Sequence, residues 1–168
     1  MLTVLVFTTL AIVFVVTLHY EALRYLSKTH FRRQWSARLL MPIGMLILIF
    51  IHVVEVWIFG FTYYLVFMLG EVGEVVGEFS YGILDCVYFS FVNYTTLGYG
   101  DLIPRGEIRF IAGTESLVGL VLIAWSASFT YLEMQRVVED LYATFMGQTV
   151  KVGENGNAPL ILNEQTGI

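Results

Sequence analysis

Tyr94 to Pro104 reads Tyr-Thr-Thr-Leu-Gly-Tyr-Gly-Asp-Leu-Ile-Pro, and the reading of this stretch decides the fold. In a soluble protein, a glycine-x-glycine followed by Asp and Pro would be an ordinary turn. Its setting here argues otherwise. It lies between two long apolar runs, 39–69 and 109–132, directly behind a short aromatic segment, 81–94. The chain has 168 residues, of which 57% are hydrophobic and 14% charged, with a mean hydropathy of +0.74. That composition belongs to membrane proteins. A net charge of -5 argues against nucleic-acid partners. Cys86 is the only cysteine, so an intrachain disulfide is excluded. In the aromatic segment it reads as a small buried hydrophobe.

The pentapeptide Thr96-Leu97-Gly98-Tyr99-Gly100 resembles the selectivity filter of potassium channels, whose signature is Thr-Val-Gly-Tyr-Gly. The resemblance covers about residues 40–132, and its motif core is 88–104. It implies stacked rings of oxygens that replace the water shell of a potassium ion. The Thr96 hydroxyl and the carbonyls of Thr96, Leu97, Gly98 and Tyr99 would supply those rings. For successive carbonyls to face one way, the backbone must alternate between ordinary and left-handed positions. Gly98 and Gly100 are spaced to take the left-handed ones. Thr95, Tyr88, Phe89 and Asp101 are expected to support the filter. Tyr88 and Phe89 resemble the family's aromatic cuff, and the Tyr88 hydroxyl is a candidate partner for Asp101. Tyr99 is expected to point away from the ion and prop the loop from behind. Two departures stand out. Leu97 replaces the commoner valine, which a carbonyl-based site tolerates. Val92 stands where some bacterial channels carry a glutamate that pairs with the aspartate after the filter.

Working outward, 81–94 is too short to span a bilayer and too apolar to be exposed, which fits a re-entrant pore helix with Ser80 as its N-cap. Its C-terminal dipole would favour a cation in the cavity beneath the filter. Residues 70–80 form a loop with Glu71, Glu74 and Glu78, either an acidic rim that gathers cations or an ordinary solvated loop. The run 39–69 exceeds an untilted span, with Pro42 in its first turn and Trp57, Tyr63 and Tyr64 suited to the outer interface. The run 109–132 resembles the inner helix of two-helix bacterial channels. Gly119 lies near the family's gating glycine, and aligned through it Leu120, Ile123 and Ala127 would face the cavity. Gly113 and Gly119 equally suit close helix packing.

His52 and Glu55 lie at i, i+3 within an apolar span, and Glu115 lies within another, expected near Glu55 behind the filter. Ionisable residues inside a membrane are functional suspects, here a possible intramembrane network or a mutually satisfied pair. No further His or Cys follows at ligand spacing, so the pair alone makes no metal site. His19 reads as interfacial and His30 as a loop residue.

The first run, 2–18, spans marginally alone and comfortably if its helix reaches about residue 26. It lacks the basic start and small-residue cleavage site of a signal peptide. Arg24, Lys28, Arg32, Arg33 and Arg38 follow, with Trp35 as an anchor, an arrangement of a basic cytoplasmic loop rather than a voltage sensor. Residues 133–145 keep helical spacing, while Gly147 onward is polar, glycine-rich and expected to be mobile.

The expectation is an all-α membrane protein with three transmembrane helices plus a re-entrant pore helix and filter loop. The divisions are a peripheral helix (1–26), a basic loop (27–38), the pore domain (39–132) and a cytoplasmic tail (133–168). One chain supplies one filter loop and the family's filter needs four, so the resemblance implies a homotetramer in the lipid bilayer of the cell membrane, N-terminus outside and C-terminus cytoplasmic. No enzymatic activity, cofactor or nucleic acid is expected, with potassium as the permeant ion. A weakly selective cation channel and a non-conducting, pore-like subunit of a larger complex stay open, and the gating stimulus and any regulatory partner are not legible.

Overall fold

The computed structural model describes residues 1–28, 37–70 and 72–154. Arg32, Arg33, Trp35, His30 and Glu71, and the tail from 155, lie outside the described residues, as does the Arg38 side chain. By contacts the chain divides into two units, Met1–Thr130 and Tyr131–Ile168.

The first unit contains α1 (Leu2–Lys28), α2 (Ala37–Leu69), β1 (Gly73–Val76), α3 (Ile83–Tyr94), β2 (Ile103–Gly106) and the opening of α4 (Ile108–Glu154). Three segments, Leu2–Lys28, Met41–Leu69 and Ile108–Glu139, are long and apolar enough to cross a membrane. At 1.5 Å per residue, the 12 residues of α3 reach only about 18 Å, well short of the hydrocarbon thickness. The all-α membrane architecture expected from the sequence is therefore present, with one addition, a two-stranded antiparallel ribbon.

Only one stripe of α1 is buried: Val4, Thr8, Ala11, Val15, His19 and Leu23, at steps of three or four. This is the spacing of a helix that meets its neighbour along one seam. The seam runs antiparallel to α2. Val4 shares a cluster with Tyr63 and Val66, Ala11 and Val15 share one with Val56 and Phe59, and His19 reaches Glu55. The other side of α1 is apolar and exposed, with Leu10, Val13 and Phe14 all open, as a lipid-facing surface requires.

Helix α3 crosses α2 where Gly60 meets Val87. A Cβ on Gly60 would stand 2.8 Å from the Val87 Cα, so the crossing requires glycine. The ribbon pairs Gly73 with Gly106, Glu74 with Arg105, Val75 with Pro104 and Val76 with Ile103. It joins the segment before the pore helix to the segment after the filter. Gly73 and Gly77 have φ of +127° and +134°, and a Cβ on either would meet a backbone carbonyl, that of Arg105 at 2.0 Å or Asp101 at 2.2 Å. Val72, Val75 and Leu102 seal the inner side of this ribbon against Tyr63, Phe89 and Ile108. Glu74 thus stands across from Arg105, and Glu78 is exposed.

Several sequence expectations shift. The N-cap of α3 is Gly82, without a side-chain bond, rather than Ser80. Ser80 instead donates its backbone N–H to the Asp85 carboxylate at 2.7 Å, and its hydroxyl bonds the same oxygen. Asp85 sits in the first turn, where the helix dipole favours a carboxylate, so it reaches back to the serine. Helix α2 begins at Ala37, which moves Pro42 beyond the first turn. Tyr63 is fully buried rather than interfacial, because its hydroxyl has a polar partner inside the bundle. In the second unit, helix continues through Gly147 to Glu154, where a mobile segment was expected. A glycine inside a helix lowers stability without forbidding it. Tyr131, Met134, Tyr142 and Phe145 are exposed in this unit.

Candidate functional site

The 94–104 stretch leaves α3 through Thr95, a right-handed C-cap with φ -81° and ψ -4° whose hydroxyl donates to the Phe91 carbonyl at 2.6 Å. From there every second residue is left-handed: Thr96 at φ 57°, Gly98 at 54° and Gly100 at 82°. The sequence pointed to the two glycines; Thr96 makes a third position. A β-branched residue with positive φ is a genuine outlier, worth about 1–2 kcal/mol of strain, and such strain persists where surrounding bonds fix it. Here Thr96 N–H donates to the Asn93 carbonyl at 2.9 Å, and Leu97 N–H to the Val92 carbonyl at 3.1 Å. Alternating handedness is the backbone pattern that lets successive carbonyls face one side.

The filter side chains find little cover within the chain. Leu97 is 56% and Tyr99 68% exposed. Just past the glycines, Tyr88 Oη donates to Asp101 Oδ2 at 2.7 Å. That carboxylate holds the Tyr88 phenol above its ordinary pKa, because an ionised phenol beside it would lose the bond. Phe89 departs from the cuff expectation. It is buried in the chain's own core, with ring contacts to Tyr63 at 5.0 Å and Phe79 at 6.1 Å. It lies one turn from Cys86 on the face of α3 that packs into the core, whereas Tyr88 lies on the open face.

Behind the filter lie two buried polar clusters. In the first, Glu55 Oε1 is 2.8 Å from His19 Nδ1, while Oε2 is 2.9 Å from His52 Nδ1 and accepts the Tyr94 hydroxyl at 2.5 Å. The far ring nitrogens of His52 and His19 converge on Ser126 Oγ, at 3.0 and 3.4 Å. His19 is therefore not interfacial. It is fully buried, because the α1–α2 seam aims it at the carboxylate. Four helices contribute one or two residues each.

In the second cluster, Glu115 Oε2 accepts the Tyr63 hydroxyl at 2.5 Å, and Oε1 lies 2.5 Å from Ser90 Oγ. Its partners are Tyr63 and Ser90 rather than Glu55. Ser90 also donates to the Val56 carbonyl at 2.8 Å. A serine has one proton, so it serves the carbonyl or the carboxylate but not both. A neutral Glu115 carboxyl satisfies every group: it donates to Ser90, and Ser90 donates to Val56. No buried side-chain polar atom is left without a partner among the described residues.

Gly119 belongs to the buried face of α4 with Glu115, Leu122 and Ser126. A Cβ there would lie 2.2 Å from the Tyr94 carbonyl oxygen, so α4 presses directly on the pore helix just before the filter. Gly113, by contrast, faces open space. Leu120, Ile123 and Ala127 lie on an exposed face of α4 that flanks the buried one. Tyr94, His19, Ser126, Ser90 and Tyr63 were not singled out from the sequence as site residues. Their partners are 25 to 107 residues away, so no local spacing marked them.

A short helix aimed into a bundle, a filter with alternating handedness and an inner helix beneath it define a pore-forming membrane protein. The family described as "Ion channel" matches residues 51–135, half of the chain, and the chain belongs to this family. The channel-family reading of the sequence is borne out. Among curated proteins, the two-pore potassium channel 1 of Arabidopsis thaliana is 37% identical over 51 residues, 30% of this chain and 14% of that one. The two pore potassium channel a of Oryza sativa subsp. japonica is 30% identical over 82 residues, 48% of this chain and 24% of the relative. The match thus spans less than a quarter of either relative's length. No solved structure matches.

Proposed function

We propose that this chain is the subunit of a potassium-selective channel, four copies of which surround one conducting filter in the cell membrane. The observation that carries this reading is the left-handed alternation at Thr96, Gly98 and Gly100. It supports rings of oxygen contributed by Thr96, Leu97, Gly98 and Tyr99, through which ions pass in single file. The similarity to relatives named as potassium channels supports the same ion. The exposure of Leu97 and Tyr99 supports an assembly, since neighbouring copies would cover them. In such an assembly Leu120, Ile123 and Ala127 line the cavity. The basic residues Arg24 and Lys28 at the end of α1 support a cytoplasmic first loop, which sets the N-terminus outside and the end of α4 inside.

The test is potassium-driven flux from purified protein in liposomes, against a sodium gradient and with barium as a blocker. Potassium flux that barium stops, from a particle of four chains, is the expected result. Equal sodium and potassium flux would overturn the selectivity, and a stable monomer without flux would overturn the assembly.

A further inference from the structure

The Glu55 cluster gathers two imidazoles and a carboxylate in one place. One donor atom each from His19, His52 and Glu55 lies within 4.8 Å of the others. The two histidines approach through the same ring atom, Nδ1, and meet opposite oxygens of one carboxylate. Two histidines and a carboxylate on three sides of a point make a recurring zinc-type ligand set. The Tyr94 hydroxyl stands beside it, 2.9 Å from His52 Nδ1, where a fourth ligand would stand.

Outer partners matter as much as the ligands. Metal-bound histidines hold their second nitrogen on a fixed acceptor, which sets the tautomer and aims the first nitrogen's lone pair. Ser126 Oγ is within reach of both second nitrogens. A hydroxyl oxygen has two lone pairs, so it can accept from both rings at once. Both Nδ1 atoms then face Glu55 as lone pairs. Three acceptors facing one another repel, so either protons or a dication must stand between them. Four-coordinate bonds of about 2.0–2.1 Å place neighbouring ligand atoms about 3.3 Å apart. The ring–carboxylate separations of 2.8 and 2.9 Å reach that by opening about half an ångström, while ligand atoms up to 4.8 Å apart must close by as much as about 1.5 Å through side-chain rotation.

We propose that His19, His52 and Glu55 bind one zinc-class dication per chain, with the Tyr94 hydroxyl at the fourth position and Ser126 as the shared outer partner. Binding displaces to solvent the protons that otherwise lie between the rings and the carboxylate. The site is independent of which ion the filter conducts. It would tie α1, α2 and the residue preceding Thr95 into one rigid unit.

The experiment uses the full chain, purified, stripped with a chelator and titrated with cobalt(II) as a spectroscopic stand-in. The expected result is the intense visible absorption of a four-coordinate nitrogen and oxygen site, saturating at one cobalt per chain and abolished by zinc. His19→Gln and Glu55→Gln, which preserve volume and hydrogen-bonding capacity, are expected to weaken binding about a hundredfold, and Ser126→Ala about tenfold. Glu115→Gln, in the other cluster, should bind cobalt as the natural chain does. Absence of the absorption in the natural chain, with zinc content no higher than in a protein-free blank, overturns the proposal. So does a binding constant unchanged in His19→Gln and Glu55→Gln. Should either variant fail to fold, the stoichiometry and zinc competition of the natural chain decide alone.

Discussion

The filter and the cluster behind it solve opposite problems with opposite means. From Thr95 to Gly100 the arrangement lies in the backbone of consecutive residues, and the side chains of Leu97 and Tyr99 are left open. Around Glu55 the arrangement lies in side chains from four helices, all satisfied. A backbone device tolerates many side chains but few handedness changes. A side-chain device tolerates isosteres but not truncation. The two meet at Tyr94, whose hydroxyl serves the cluster and whose carbonyl precedes the filter.

The sharpest way to break this division is at the meeting point. Gly119→Val would force bulk into the Tyr94 backbone, and overpacking against main chain that cannot yield should cost about 3 kcal/mol or more. Thermal unfolding in detergent should show a large drop, with flux lost; an unchanged midpoint would mean that α4 has room to retreat. Next comes the contrast within the second cluster. Ser90→Ala leaves Glu115 and the Val56 carbonyl competing for nothing, and should destabilise by about 2 kcal/mol. Glu115→Gln, an isostere of the neutral carboxyl, should stay within about 1 kcal/mol of the natural chain, since its amide can donate to Ser90 and its carbonyl accept from Tyr63. A larger loss for glutamine than for Ser90→Ala would show that the carboxyl is ionised.

On the filter side, Gly98→Ala should cost about 1–2 kcal/mol through handedness alone, because φ is 54° and nothing lies within 4 Å of the added methyl. Flux should fall and the midpoint drop by a few degrees; retained flux would mean that the left-handed turn is dispensable. Tyr88→Phe removes one exposed bond to Asp101 and should lower the unfolding midpoint only slightly; a drop as large as that of Ser90→Ala would mean that the bond fixes the whole turn.

The smallest effect concerns Asp85. Its bonds from Ser80, the hydroxyl first and the backbone N–H next, hold the carboxyl below the usual aspartate value. A depressed folded-state value means stability present above the unfolded value of about 3.9 and lost as pH falls through the folded one. The midpoint gap between the natural chain and Asp85→Asn should therefore persist from neutral pH to about 4 and close below it. A gap that stays constant down to pH 2 would remove Ser80 from the account.

What the sequence revealed follows the same division. The left-handed turn at Gly98 and Gly100 was legible because the glycines are two residues apart and their setting is apolar on both sides. The three spans were legible from run length. His52 and Glu55 were legible as neighbours on one helix turn. His19 was not, because in a lipid-facing helix the outward side is as apolar as the seam, so hydropathy gives no sign of which way a residue points. Phe89 and Tyr63 misled for a related reason. An aromatic in such a chain suits an interface, a cuff or a core equally well until a partner such as Glu115 fixes it.

The close approach of Gly119 to the Tyr94 carbonyl carries a further consequence. Coupling free energies are reciprocal. If the resting place of that carbonyl depends on what occupies the filter, an occupying ion stabilises one tilt of α4 over another. A tilt of α4 must then alter the hold on that ion by the same factor. The ionic composition beside the membrane would enter the helix equilibrium directly, and permeant ion and gate would become two readings of one thermodynamic variable.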